Sequence, residues 1–199
     1  LGLARLAVSF FLKDELALTP AEVSALMGIA ALPWIVKPLF GFISDGLPIL
    51  GYRRRPYLIL SGFLGSAAWV SLATVVHTAW AATAAIALSS LSVAVSDVIV
   101  DSLVVERARS ESMSDAGSLQ SLSWGASALG GLITAYFSGY LLEHFSNRTV
   151  FGITAIFPLI VSIVAWIIAE SPVIERPDFS TVSDQIKQLK KAVTQKAIW

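Results

Sequence analysis

Hydrophobic residues in this chain gather into six long runs that are separated by short polar segments. The runs cover residues 1–12, 21–44, 57–76, 79–105, 117–142 and 150–169. A membrane-spanning helix needs about 20 apolar residues, so the last five runs are long enough to cross a bilayer. The first run would be only about 18 Å long as a helix, and we expect the chain to begin inside its first span. The pattern predicts an all-α integral membrane protein.

The composition agrees with a membrane protein. Of 199 residues, 55% are hydrophobic and 14% are charged, and the mean hydropathy is +0.73. Soluble domains carry about 25% charged residues. The absence of cysteine excludes disulfides and thiolate metal ligands, and neither His77 nor His144 has a second ligand one helical turn away. We expect a lipid bilayer around the chain, no metal, no cofactor and no nucleic-acid partner.

A polar hairpin at residues 41–56 separates the second and third runs and carries one acid and three adjacent arginines. Charged groups are costly inside a bilayer, so the hairpin lies at a membrane surface. Clustered arginines favour the cytoplasmic side. With the hairpin inside, ten Lys and Arg residues fall in inside segments and two, Lys13 and Arg148, in outside loops. This bias supports the orientation.

A weak internal repeat suggests how the runs are organised. Gly41-x-x-x-Asp45 ends the second run, and Gly139-x-x-x-Glu143 ends the fifth on the opposite membrane face. Two inverted three-helix repeats would produce this arrangement, although two matching positions also fit chance. We expect residues 1–170 to form a six-span domain with a truncated first span. Residues 171–199 would be a cytoplasmic linker with an amphipathic helix that leads to a seventh span.

Several strings resemble a known family. The Gly-x-x-x-Asp string and the arginine cluster resemble the signature of the major facilitator superfamily, although Gly51 follows Asp45 at a longer interval than is usual. Within that superfamily, residues 1–170 resemble the folate-biopterin transporter family of cyanobacteria, plastids and trypanosomatids. The strings that carry this resemblance are Gly2-Leu-Ala-Arg5, Leu32-Pro33-Trp34, Lys37-Pro38, Gly51-Tyr-Arg-Arg-Arg55, Ser96-Asp97-Val-Ile-Val-Asp101, Glu106-Arg107 and Gln120-Ser-Leu-Ser-Trp124.

The resemblance implies a fold and a function. The fold would be the N-terminal six-helix bundle of a twelve-helix major facilitator carrier, which needs a missing C-terminal six-helix half. The substrate would be a folate or pterin, carried by proton symport across a cyanobacterial plasma membrane or a plastid envelope. The alternative is a carrier of the same superfamily for another small solute, such as a sugar, a drug or an organic anion.

Two acids in the fourth run are the strongest candidates for chemistry. Asp97 and Asp101 lie one helical turn apart and share a helix face. Counted from Arg107 at the cytoplasmic end, Asp101 is about 9 Å deep and Asp97 about 15 Å deep, near the midplane. Burial and a like-charged neighbour favour the neutral form, so we expect one carboxyl to bind and release a proton during transport. The alternative is a structural role in which the acids pair with Arg5 or Lys37.

Four more residues complete the predicted substrate and proton cavity. Arg5 reaches about the depth of Asp97, where it would bind an anionic substrate group or neutralise the acid. Lys37 lies between two prolines, where we expect a kinked helix, and it either lines the cavity or reaches the cytoplasmic surface. Gln120 and Trp124 share a helix face that suits a flat pterin ring, although Trp124 also fits plain packing.

The resemblance also assigns the hairpin the role of a conformational latch. Asp45 would contact Arg107 or Arg109 of the fourth helix, and this contact would bias inward- against outward-facing states. The alternative is that the arginines only set topology. The predicted cytoplasmic latch consists of Gly41, Asp45, Gly51, Arg54, Arg55, Arg107 and Arg109.

Other functional classes explain the pattern less well. An intramembrane aspartyl protease needs aspartates on facing helices and a Gly-x-Gly-Asp string, whereas Asp97 and Asp101 share one helix. A membrane scaffold would explain the spans but not the pairing of Arg5 with Asp97 at the midplane. We expect a transporter and not an enzyme.

Overall fold

The computed structural model describes residues 2–109, 113–168, 170 and 172, and this part of the chain is built from helices. It contains no strand, only an isolated bridge between Ile49 and Tyr52. The helices are α1 (Arg5–Phe10, continued by a π-helical turn at Phe11–Glu15), α2 (Pro20–Ala30), α3 (Leu32–Ile35), α4 (Lys37–Gly46), α5 (Arg55–Thr74), α6 (Ala79–Arg109), α7 (Met113–His144), α8 (Asn147–Thr154) and α9 (Ile156–Ile167). The predicted all-α class is confirmed.

Four helical stretches are long and apolar enough to cross a membrane. They are Pro20–Gly46, Arg55–Thr74, Ala79–Arg107 and Asn147–Ile167. The expected multi-pass membrane protein is therefore confirmed. Helix α7 has 32 residues and is long enough, but its many Ser and Gly residues lower its hydropathy, and the fifth span stays a prediction. Residues 173–199, which hold most of the predicted linker and its amphipathic helix, lie outside the described part.

The second span is broken twice, as its two prolines predict. Pro33 and Pro38 each occupy the first turn of a new helix, α3 and α4, because proline lacks the N–H that a continuous helix would need. The residues at the breaks, Ala31 and Val36, have φ near −90° and ψ near 0°. The second break places Lys37 at the first position of α4.

Helix α5 is the centre of the described bundle, and it packs on α6, α8 and α9 through small residues. A Cβ atom on Gly62 would collide with the Ser162 hydroxyl and the Pro158 carbonyl oxygen of α9. On the other side, the Ser92 hydroxyl of α6 donates to the carbonyl oxygen of Ser61 at 2.6 Å. Small residues allow this close approach because lipid provides no hydrophobic driving force between helices.

A second layer of larger side chains fills the bundle towards the predicted outer face. Phe151 of α8 contacts Phe11 edge to face at 5.4 Å between ring centroids and Trp69 of α5 at 5.8 Å. Leu12 and Leu72 are fully buried beside them. These contacts tie the first helix to α5 and α8.

Replacing Gly62 by valine should destabilise the full-length protein, since α9 leaves no room for a side chain there. The expected loss is about 2 kcal/mol, typical of overpacking. Thermal unfolding of the purified protein in detergent measures it. Gly125→Val on α7 is the control, because a Cβ at Gly125 meets nothing within 4 Å. Both substitutions alter helix propensity equally. Equal losses of stability in the two variants would therefore contradict the packing argument.

Candidate functional site

An ion cluster joins the broken second span to α6. The Lys37 ammonium pairs with the Asp97 carboxylate and lies 3.7 Å from Asp101. The side chain of Lys37 is 27% exposed, that of Asp97 44% and that of Asp101 68%, so Asp101 is the open member. One ammonium faces two carboxylates, and the cluster is one positive charge short of neutrality when both acids are ionised.

Gly41 explains how Lys37 reaches α6. Gly41 lies one helical turn after Lys37 on the same face of α4. A Cβ there would come within 3.2 Å of the Val98 side chain, next to Asp97 in sequence. The absence of a side chain allows α4 to approach α6 at this point. Gly41, which the sequence placed in the latch, therefore positions the ion cluster.

The ion cluster lies well inside the span but not at its centre. The α6 span Ala79–Arg107 has 29 residues. Asp97 is one turn past the middle of this span, about 6 Å towards the predicted cytoplasmic end. The indole of Trp34 lies beneath the ammonium of Lys37, 5.5 Å from ring centroid to Nζ. A cation, two carboxylates and an aromatic face thus meet at one place.

The other predicted cavity residues stand apart from this cluster. Arg5 is exposed on α1 and forms no ion pair within the described residues. Of the two predicted partners of Asp97, Lys37 is the one that pairs with it in the described structure, and Arg5 does not. Gln120 and Trp124 are exposed on α7, and Trp124 is 71% accessible. Their role in substrate binding stays a prediction.

A second ion cluster lies at the hairpin. The Arg54 guanidinium contacts Asp45 at the end of α4 and Glu106 near the end of α6, each at 3.3 Å. Its side chain is only 14% exposed, so these contacts are screened less than surface pairs. Arg54 therefore joins α4 to α6 by contacting Asp45 on the first helix and Glu106 on the second. The contact of Asp45 with Arg107 or Arg109 stays a prediction, and the side chain of Arg109 lies outside the described part.

Glu170 organises the backbone of the hairpin. Its carboxylate accepts hydrogen bonds from the backbone N–H groups of three consecutive arginines, Arg53, Arg54 and Arg55, at 2.8, 3.0 and 2.9 Å. These groups lie at the N-terminus of α5, where helix N–H groups lack partners and the dipole favours a negative charge. Gly51 completes the turn with a φ of 79°, which glycine adopts without strain.

An arginine closes the opposite end of α5. The Arg148 guanidinium donates to the carbonyl oxygen of Val76 at 3.0 Å and to the His77 ring at 3.1 Å. It also pairs with Glu15 at 3.4 Å and lies 5.4 Å from the ring centroid of Phe11. One of the two basic residues predicted outside therefore has a structural role.

Comparison with known proteins identifies the family. A sequence model of the BT1 family matches residues 1–199. This chain belongs to the BT1 family. It is 57% identical over 198 residues to a protein named folate-biopterin transporter from Synechocystis sp.. The alignment covers the whole of this chain and 40% of that relative. Among solved structures, no significant match was found.

Relatives from eukaryotes are more distant but named similarly. The probable folate-biopterin transporter 4 of Arabidopsis thaliana is 35% identical over 86% of this chain and 35% of its own length. The putative folate transporter 2 of Plasmodium berghei is 35% identical over 96% of this chain and 42% of its own length. The chain thus spans less than half of these curated relatives.

Two acids with clear structural contacts, Glu106 and Glu170, are not among the site residues that the sequence of this BT1-family chain predicted. Glu106 was visible as the acid beside Arg107 at the end of the fourth run. Glu170 follows the last run directly and precedes a Ser-Pro pair. The position of each acid at the end of a span was the available signal. Nothing in the sequence indicated that Glu170 would bind the backbone of Arg53, which is more than 100 residues away.

Removing the Glu170 carboxylate should weaken the contact between α9 and the hairpin. We expect Glu170→Ala to lower the free energy of unfolding by about 2 kcal/mol, because three partly buried N–H groups lose a charged acceptor. Glu170→Gln should lose less, since its amide oxygen still accepts a hydrogen bond. Thermal unfolding of the full-length protein tests this ranking, and Glu143→Ala at an exposed position is the control. A Glu170→Ala protein as stable as the wild type would contradict the capping role.

Proposed function

We propose that this chain is the N-terminal six-helix half of a twelve-helix carrier that moves folates or pterins by proton symport. The observation that carries the proposal is the Lys37–Asp97–Asp101 cluster inside a membrane span of a BT1-family chain. The names of the relatives support the substrate class. Ionisable groups within a span are retained where they bind ions or substrate.

The unequal charges of the cluster suggest how proton and substrate are coupled. An anionic group of the substrate, such as a folate carboxylate, competes with Asp97 for the ammonium of Lys37. Once the substrate anion holds Lys37, Asp97 is the carboxylate to which we assign the co-transported proton. Substrate anion and proton then bind together and leave together. Asp101 is more exposed and would pass the proton between Asp97 and the surroundings.

The remaining cavity residues would hold the rest of the substrate. Arg5 has no carboxylate partner in the described part of the chain, so its guanidinium is available for a second anionic group. Gln120 and Trp124 on α7 offer an amide and an indole face to a pterin ring. Each of these roles requires that α1, α6 and α7 face a common cavity, which the absent C-terminal half would close.

The cytoplasmic ion cluster suits the latch that the sequence predicts. Arg54 connects Asp45 of α4 with Glu106 of α6, and both acids lie at the same end of their helices. We include Gly51, Arg55, Arg107 and Arg109 in this latch on the basis of the resemblance. Breaking and reforming such charge pairs would shift the balance between inward- and outward-facing states.

Uptake of labelled folic acid by the full-length protein in folate-auxotrophic cells tests the substrate. We expect accumulation above a vector control, abolished by a proton uncoupler. No uptake above the vector would remove the folate proposal. Accumulation that is indifferent to the uncoupler would remove proton coupling and leave a carrier driven otherwise. A pterin, a sugar and an organic anion as competitors distinguish the substrate classes.

Replacing Asp97 by asparagine should separate coupling from binding. The amide cannot take up the proton, so accumulation against a gradient should fall at least about tenfold, while exchange of internal for external folate continues. Asp101→Asn should have a smaller effect, because Asp101 is farther from Lys37 and more exposed. Glu143→Gln on α7 is the charge-matched control. Wild-type accumulation by the Asp97→Asn protein would contradict the proton role.

A further inference from the structure

A groove of about 450 Å³ opens between the hairpin and the end of α9. Its lining is apolar except for Arg55 and the hydroxyl of Tyr52. Leu50, Ile59, Leu60 and Trp166 form most of the wall. Leu60 is 56% exposed and Trp166 is 66% exposed, so the groove faces the surroundings of the bundle and not its core.

Arg55 gives this groove a charge that the described part of the chain leaves without a counter-ion. Its guanidinium lies against two aromatic rings, 5.8 Å from the centroid of Tyr52 and 5.6 Å from that of Trp166. No carboxylate pairs with it among the described residues, whereas neighbouring Arg54 contacts Asp45 and Glu106. The nearby carboxylate of Glu170 is engaged by backbone N–H groups. The Arg55 guanidinium therefore lines the groove without a carboxylate partner among the described residues.

Leu50 is a strained and highly exposed residue at the edge of the groove. Its φ is 53°, in the left-handed region that disfavours bulky residues, and its side chain is 90% exposed. The turn is held by hydrogen bonds between Ile49 and Tyr52 at 2.9 and 3.0 Å. The backbone strain is the same in any medium, whereas an exposed leucine side chain is unfavourable in water. Burial of this side chain among lipid chains would offset the cost.

The position of Trp166 sets the level of the groove in the membrane. It is the penultimate residue of the span Asn147–Ile167. Tryptophan at a span end favours the boundary between headgroups and acyl chains. The groove therefore crosses this boundary, with its apolar wall towards the acyl chains and Arg55 at headgroup level. By the arginine bias of the hairpin, this is the cytoplasmic leaflet, which carries anionic lipids.

We propose that this groove binds an anionic phospholipid. The phosphate is held by the planar donors of Arg55, which match phosphate oxygens in pairs. One acyl chain lies along Leu50, Ile59 and Leu60. The lipid contacts both the hairpin and α9, so it reinforces the contact that Glu170 makes between the same two segments. A neutral lipid fills the apolar part but leaves Arg55 without an anion.

Native mass spectrometry of the full-length protein in detergent tests this site with two lipids of identical acyl chains, phosphatidylglycerol and phosphatidylcholine. We expect tighter binding of phosphatidylglycerol to the wild type. Arg55→Gln should weaken that binding about tenfold and leave phosphatidylcholine unchanged, as expected for loss of a charge-assisted contact. The substitution keeps the backbone N–H that Glu170 binds, so the hairpin should persist, and thermal unfolding checks this.

Three further measurements sharpen the test. Lys13→Gln removes one exposed charge at the opposite membrane face and should leave lipid binding unchanged. Leu50→Asn suits the left-handed turn and should weaken phosphatidylglycerol binding through loss of the acyl contact. Soluble glycerol phosphate should not compete with phosphatidylglycerol for the groove, because it has no acyl chain. Equal binding of both lipids, unchanged binding by Arg55→Gln or by Leu50→Asn, or competition by glycerol phosphate would each overturn the proposal.

Discussion

The described bundle depends on charged side chains that close both ends of its central helix. The N-terminal N–H groups of α5 bind the carboxylate of Glu170, and carbonyl oxygens at its C-terminal end bind the guanidinium of Arg148. Both charges match the helix dipole at their end of α5. They also flank one membrane span, because Arg148 lies at the start of α8 and Glu170 follows α9. The residues that flank this one span therefore contact both ends of α5. They bind backbone N–H and carbonyl groups that would otherwise be unpaired at the two membrane boundaries.

These contacts have consequences for the helices between the two ends. Polar contacts hold α5 and the last span in register, so Gly62 can remain in contact with the backbone of α9. Helices α6 and α9 thus both pack closely on α5. The broken second span is different, because α4 begins at a helix break and meets α6 through Gly41. Lys37 and Asp97 lie at this junction, where a shift of α4 would alter their distance most.

The three consecutive arginines of the hairpin illustrate how one charged string serves several purposes. Their backbone N–H groups bind Glu170, while the side chain of Arg54 joins Asp45 to Glu106 and that of Arg55 faces the apolar groove. A topology signal requires only positive charge near the membrane. The structure assigns separate contacts to adjacent side chains, and therefore substitutions within the string should not be equivalent.

The sequence by itself determined the helical membrane class, the position of most spans, the proline breaks and the candidate acids. These follow from local rules: apolar length, the missing N–H of proline and the cost of charge in lipid. It did not determine which cation neutralises Asp97, since residue spacing along a helix left both Arg5 and Lys37 as possible partners. Only the tertiary structure decided this, because the break before Lys37 and the close approach at Gly41 depend on how α4 packs on α6. The capping of α5 by Glu170 was hidden for the same reason: residues distant in sequence become partners only when helices assemble.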